Sequence, residues 1–552
     1  MKKILFFLAV FLSLPAVAQQ LTPTSVKIKD WKAMRKLSRN DSLKLIYQEG
    51  YIGNYGKADK DYLICYFREN GTQFHCSRIS DQQETELAGA NLNTYSFKSF
   101  SIYRTDDYLC QVGFPRSAKK GILTVKYVRY RKTDLKKIDE ITAFSFPLGK
   151  GEDYSATTDL SPDSSKMSVL IQIKSTSTND VKGYYEVMLD RSGKVLWQTK
   201  DLFSFDVRYS MLAVPSVLND GSVVHSFMSQ TSQELSSATQ SLNVLRFDTE
   251  GELMRYRYDV PDDYRVADME SQFLKNGNVI LAAILCDKDN TDSLTNVHLF
   301  VDILNSHSLD GRSRPYMTPI SSLWDSQRTP LSHYESLTMS YILPLDNGDV
   351  CVVGMPSSYS VDNTVWGAPY RIHDLGGMYA IFVSPDGQVK KSTIVDRYYS
   401  KYQTSSYSVY PMNMGYDVFA YGNEVYFIYN ESIHKVDDPT SDSHFNANLH
   451  SRNCANCIAL ARVSESEKVT VDNLTGNTSC GQVFHHLLRR EGNRFLITTR
   501  GEDFGSLAWL TLPLTSKKEI PAAAPSDQSK EVAPPEPVAK PAFSPRGRRI
   551  KK

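Results

Sequence analysis

Along most of the chain the apolar positions come in short runs rich in Val, Ile, Leu, Phe and Tyr, and each run stops at an Asn-Gly, Asp-Gly or Ser-Gly turn or a close variant. Runs of this kind between tight-turn residues predict β-strands joined as hairpins. Helical periodicity is nearly absent, apart from Asp30 to Leu37 and Asp41 to Tyr47, which are each expected to form a helical turn or two. One set of turns recurs between two apolar runs: Leu160-Ser161-Pro162-Asp163, Leu218-Asn219-Asp220-Gly221, Leu274-Lys275-Asn276-Gly277 and Leu345-Asp346-Asn347-Gly348, with weaker members at Tyr421-Gly422-Asn423-Glu424 and Arg490-Glu491-Gly492-Asn493. With Asp163, Asp220, Asn276, Asn347, Asn423 and Asn493 as markers, the spacings are 57, 56, 71, 76 and 70 residues. A second set falls between them, at Asp190-Arg191-Ser192-Gly193, Asp248-Thr249-Glu250-Gly251 and Ser384-Pro385-Asp386-Gly387.

Two turns per unit make two hairpins, so each unit reads as four antiparallel strands. A small sheet repeated at this period buries its faces only against copies of itself, which is the requirement of an all-β propeller. Dividing the body from about Tyr51 to Leu514 by about 65 residues predicts a β-propeller of about seven four-stranded blades, with six and eight kept open. A pair of large β-sandwiches is the competing architecture, because Asp-Gly and Asn-Gly turns serve any antiparallel protein. Leu189-Asp190-Arg191-Ser192-Gly193-Lys194-Val195-Leu196-Trp197 resembles the strand-turn-strand repeat of quinoprotein-like propellers, and Leu160-Ser161-Pro162-Asp163 resembles the repeat of TolB-type propellers. The resemblance covers single hairpins and implies the propeller fold; that superfamily includes binding scaffolds as well as enzymes, so it does not choose between them.

The ends of the chain differ from its body. Lys2 and Lys3, the apolar run Ile4 to Leu14 and the small residues around Ala16 and Ala18 read as a secretory signal peptide cut after Ala18. Its apolar stretch falls short of the roughly 20 residues that span a bilayer, no other segment comes near that length, and no cysteine stands at the cleavage point to carry a lipid. At the other end, residues 515–552 are rich in Pro and Ala and carry a net charge of +5, against −6 for the body from Gln19 to Leu514. A segment with so little to bury is expected to be disordered. The expected organisation is a signal peptide at 1–18, a short N-terminal extension at 19–50, the propeller at 51–514 and a basic tail at 515–552. That balance of charge speaks against nucleic acid as a partner. The cations Arg546, Arg548, Arg549, Lys551 and Lys552 suit electrostatic contact with an anionic envelope component.

Cysteine usage follows from export, since an oxidising compartment permits disulfides. Cys65 and Cys76 flank Asn70-Gly71 symmetrically, so a two-residue hairpin sets them opposite each other, within reach of a bridge. Cys110, Cys286 and Cys351 lie in apolar runs and read as small core residues. Cys454, Cys457 and Cys480, near His444, His450, His485 and His486, leave three readings open: a disulfide, free thiols, or half of a zinc site whose other half lacks a matching pair. No metal site and no cofactor is predicted.

Catalytic motifs do not stand out. There is no Gly-x-Ser-x-Gly elbow, His-Glu-x-x-His helix or P-loop. The stretch Asp287 to Asp292 begins like a calcium loop but has Asp292 where the turn wants glycine, and no turn reproduces a full sialidase Asp box. The compositional anomaly is Tyr398 to Tyr416, a Tyr/Ser mixture in which Tyr398, Tyr399, Tyr402, Tyr407 and Tyr410 are candidate binding residues, the alternative being rings packed between blades. The sequence therefore predicts an exported propeller, periplasmic or extracellular, that binds or scaffolds a protein or glycan of the bacterial cell envelope without catalysis. The alternative is a propeller glycan hydrolase or lyase whose carboxylates come from distant blades.

Overall fold

The computed structural model describes the strands between Gln20 and Thr511. It describes side chains, with short interruptions, over residues 108–131, 136–199, 215–231, 238–358, 374–397, 416–438 and 457–474 and at a few positions from 493 to 512. The described strands form eight antiparallel sheets that follow one another along the chain. Their first strands are Gly53–Asn54, Phe97–Arg104, Glu152–Leu160, Tyr209–Leu212, Tyr264–Phe273, Ser336–Pro344, Tyr416–Tyr421 and Val483–Glu491. The six marker turns of the sequence are the first turns of sheets three to eight. The chain is an all-β protein of propeller architecture, and the two-sandwich alternative falls.

Which strands face inward is fixed by hydrogen bonds between successive sheets. Ser101 Oγ lies 2.6 Å from Thr158 Oγ1, the Met339 N–H donates to Asp268 Oδ2 at 2.7 Å, and Ser340 Oγ lies 2.6 Å from Tyr416 Oη. Each contact joins the first strand of one sheet to the first strand of the next, so the first strands form the inner wall. Fourth strands such as Leu253–Asp259 and Thr470–Asn473 are largely exposed. Second and third strands are covered on both faces, and Val279–Asp287 and Met378–Val383 accordingly read as unbroken apolar runs without alternation. The core is divided in the same manner. One cluster joins sheets two and three around Val169 and Tyr127, another joins sheets five and six around Ile280 and Ile284 with Trp324 and Tyr379, and a third joins sheets six and seven around Phe382 and Phe427.

The last sheet is completed from the other end of the chain. Gln20–Ile28 pairs antiparallel with Gly505–Thr511, from Gln20 opposite Thr511 to Ile28 opposite Gly505, and supplies the outer strand. Residues 20–28 therefore belong to the propeller, where the sequence suggests an extension running from 19 to 50. The sequence hides this because the pairing is not local and no turn announces it. The expected helical turns at 30–37 and 41–47, the signal peptide and the basic tail lie outside the described residues.

The two ends of the sheets are built differently. First-to-second and third-to-fourth strand turns share one face and most of them are short, the connection at residues 305–315 being the longer exception. There the aspartates of the second set hold the turns: Asp190 Oδ1 accepts from the N–H groups of Ser192 (2.8 Å) and Lys194 (3.0 Å), and Asp248 Oδ1 does the same for Glu250 and Glu252. Neighbouring turns are tied together, with the Asp163 N–H donating to Asn219 Oδ1 (3.1 Å), the Asn347 N–H to Asn423 Oδ1 (2.8 Å), and Lys275 Nζ 3.0 Å from Asp346 Oδ1. The opposite face carries the longer connections, among them residues 320–335 and 433–455.

Candidate functional site

Because the short-turn face is committed to joining sheet to sheet, chemistry is to be sought on the inner wall and the long-connection face. On the wall, sheets five to seven bring polar groups together. Tyr264–Phe273 carries a bulge between Val266 and Asp268, and Ser336–Pro344 one between Met339 and Tyr341. Bulges re-aim side chains locally. Asp268 accepts the Met269 N–H at Oδ1 (2.9 Å) and the Met339 N–H at Oδ2 (2.7 Å), so its carboxyl is fixed between two sheets. Burial nevertheless pushes it above the ordinary aspartate value, the two N–H groups opposing that shift.

Tyr341 is 43% exposed, yet desolvation, with the Asp417 charge second, pushes its phenol up to about 12. Tyr416, next along the wall, is held through its contact with Ser340, and burial raises its phenol too. The Tyr379 hydroxyl donates to Thr338 O at 3.0 Å behind the same strand. The wall of sheets five to seven thus offers an acid raised by burial, a second buried acid at Asp417 and an accessible phenol.

A second group lies at the long-connection end of sheets six and seven. Arg397, buried, stacks its guanidinium 5.5 Å from the centroid of Tyr429 and has Nη1 3.9 Å from Met378 Sδ. Glu431 accepts the Ser432 N–H at 2.8 Å, and desolvation pushes its carboxyl up to about 7 against the opposing pull of that N–H, Arg397 and Lys435. Lys435 Nζ pairs at 2.8 Å with Asp396 Oδ2.

A third constellation has the composition of a hydrolytic triad and the wrong order. Ser168 Oγ donates to Glu186 Oε1 at 2.5 Å, and His225 Nε2 lies 3.0 Å from Glu186 Oε2, out of line for a hydrogen bond. The acid stands between serine and imidazole, so the imidazole cannot take the serine proton, and all three are buried. This is an inter-sheet polar contact.

Of the residues singled out in the sequence, Tyr399 and Tyr402 lie on the strand Tyr399–Thr404, which the sixth sheet adds beyond its four. Tyr398, Tyr407 and Tyr410 lie outside the described residues. Tyr416, at the end of the same stretch, does pack between sheets. Cys65 and Cys76 are directly opposite each other in register, as the turn arithmetic requires. Cys457 is a free, buried thiol whose pKa burial raises; Cys454 and Cys480, on which the disulfide and zinc readings turn, lie outside the described residues. Cys110, Cys286 and Cys351 are buried in the core, as expected, with Cys110 Sγ accepting from the Tyr127 hydroxyl at 3.0 Å. Asp287 is engaged by Thr295 Oγ1 (3.0 Å) and Asn296 Nδ2 (2.9 Å), and no group of three acids, histidines or cysteines able to hold a metal occurs among the described residues. Asp268, Tyr341 and Glu431 were not legible beforehand, since only burial distinguishes them from other strand acids and tyrosines.

The chain matches no family model and no curated protein. Among solved structures it is similar to the polysaccharide lyase Uly1, at 9% identity over 90% of this chain and 98% of that one, with a TM-score of 0.33. It is also similar to the β-propeller domain of the Trilobed protease from Pyrococcus furiosus, at 9% identity over 75% and 94% of the two chains and a TM-score of 0.30. An α-L-arabinanase from Penicillium chrysogenum follows at 9% identity, 68% and 97% coverage and a TM-score of 0.27. At these scores the likeness carries no statement about activity.

Proposed function

We propose that the protein is an exported propeller that binds a glycan of the cell envelope at its inner wall. The observation that carries this reading is the polar inner wall of sheets five to seven, which carries the exposed Tyr341 with Asp417 near it and Asp268 on the neighbouring first strand. An exposed phenol face suits a polyhydroxylated ligand, the ring covering sugar C–H groups. The test is a glycan array followed by calorimetric titration of the hits with the full chain and with Tyr341→Ala. A loss of tenfold or more in affinity supports the reading, and an unchanged affinity overturns the placement at the wall.

A second reading, a glycan hydrolase or lyase, is favoured by one observation. Asp268 is an inner-wall carboxyl raised by burial, which is the property of a general acid. Under that reading array hits are cleaved by the wild type and left intact but bound by Asp268→Asn. Absence of new reducing or unsaturated ends after prolonged incubation decides for binding alone.

A further inference from the structure

The second strand of the sixth sheet, Val350–Asp362, is thirteen residues long. Val350 to Gly354 pair with Met378–Val383 inside the sheet, whereas Ser357 to Asp362 run on and pair with Tyr370–Leu375, which in turn pairs with Tyr399–Thr404. The result is a three-stranded flap that continues the sheet on its long-connection side. Its register is regular: His373 stands opposite both Tyr359 and Lys401, Arg371 opposite Val361 and Gln403, and Leu375 opposite Ser357 and Tyr399.

Directly paired residues share a face, and alternate residues along a strand return to it. All three basic residues of the flap, Arg371, His373 and Lys401, therefore fall on one face, together with Tyr359 and Tyr399. Both acidic residues, Asp362 and Asp374, fall on the other. On the acidic face Asp374 Oδ2 lies 3.8 Å from His333 Nε2 in the connection after the fifth sheet. The basic face stands out against a body whose net charge is −6.

We infer that the basic face of this flap binds an acidic polysaccharide, one carrying carboxylates on its sugar rings. Arg371 and His373 stand about 6.8 Å apart along the middle strand and Lys401 about 5 Å across from His373, so two cations and an imidazole share one face. Arginine takes a carboxylate with two parallel hydrogen bonds. Tyrosines interleaved with the cations supply flat surfaces for the rings between the charges. The inference does not rest on the inner-wall reading, and it gives Tyr399 the role the sequence suggested by a different argument.

The experiment uses the full chain and titrates polygalacturonate, with uncharged galactan as control, at low and at 0.3 M salt. Binding to polygalacturonate alone, weakened at high salt, is expected. R371Q/K401Q should weaken it at least tenfold with an unchanged urea midpoint, and R371K/K401R should retain most of the affinity. If the double variant fails to fold, R371Q and K401Q singly should each give a several-fold loss. No binding to polygalacturonate, or full affinity in R371Q/K401Q, overturns the proposal. It is also overturned if neutralising Arg546, Arg548, Arg549, Lys551 and Lys552, and not the flap, removes the binding, or if duplex DNA competes on equal terms.

Discussion

Single residues decide how adjacent sheets meet. Tyr127 of the second sheet donates its hydroxyl to Arg191 O (2.7 Å) in a turn of the third, and Trp197 of the third reaches Gly221 O (3.3 Å) in a turn of the fourth. The glycines above these rings are required twice over. Gly193 and Gly251 have φ of +81° and +82°, and a Cβ would stand 2.4 Å from Tyr127 Cγ or 2.8 Å from Trp197 Cε3. Gly193→Ala and Gly251→Ala should each destabilise by about 2–4 kcal/mol, combining left-handed strain with overpacking, read as a lower urea midpoint. A midpoint within error of wild type would show that the rings move aside freely. At Glu431 the sign of the pH effect is set by burial. A carboxyl whose pKa rises from the ordinary 4.5 to about 7 on folding holds its proton longer in the native state. Its contribution is present below about pH 4.5 and is lost as pH climbs through 7, on the order of 3 kcal/mol in all. Glu431→Gln keeps an acceptor for the Ser432 N–H and carries no charge, so it should match wild type at pH 5 and exceed it at pH 8 in urea unfolding. Parallel pH profiles for the two proteins would refute this.

Among the elements, Gln20–Ile28 carries a consequence out of proportion to its length. It covers the edge of Gly505–Thr511, whose backbone groups would otherwise face solvent or another chain. Its register shifts between Pro23 and Lys27, as expected where proline cannot donate to the ladder. Deleting residues 19–28 should lower the urea midpoint and produce concentration-dependent self-association in light scattering. A synthetic peptide of residues 20–28 added in trans should reverse both effects. A truncated protein that stays monomeric with an unchanged midpoint would show that the strand is dispensable. The expected cleavage site after Ala18 lies just ahead of this strand, so under the export reading the closing strand would lie at the mature N-terminus.

At the scale of the whole molecule, the repeat was legible because its turns have a chemical requirement. An Asp or Asn must accept backbone N–H groups and a glycine must often follow, which marked six consecutive sheets. The segments between Asn54 and Tyr62 and between Arg104 and Tyr108 contain aspartates but no Asn-Gly or Asp-Gly pair, and the flap lengthens the spacing around the sixth sheet. Dividing length by mean period gave about seven units with six and eight open, and the described strands form eight sheets. The candidate sites were harder to see, because Asp268 and Glu431 differ from other strand acids only in how much water they lose on folding. Leu514–Lys552 separates from Met1–Pro513 as its own unit, and its prolines remove donors that regular structure would need. Its charge of +5 beside a body of −6 makes any contact it forms with an anionic envelope component salt-dependent, because such contacts are screened over about 10 Å at 0.1 M salt. Removing residues 515–552 should leave the urea midpoint unchanged and reduce retention on anionic lipid vesicles at 50 mM salt, with the difference vanishing at 0.5 M. A lowered midpoint would make the tail part of the fold, and equal retention at low salt would remove its role as a tether.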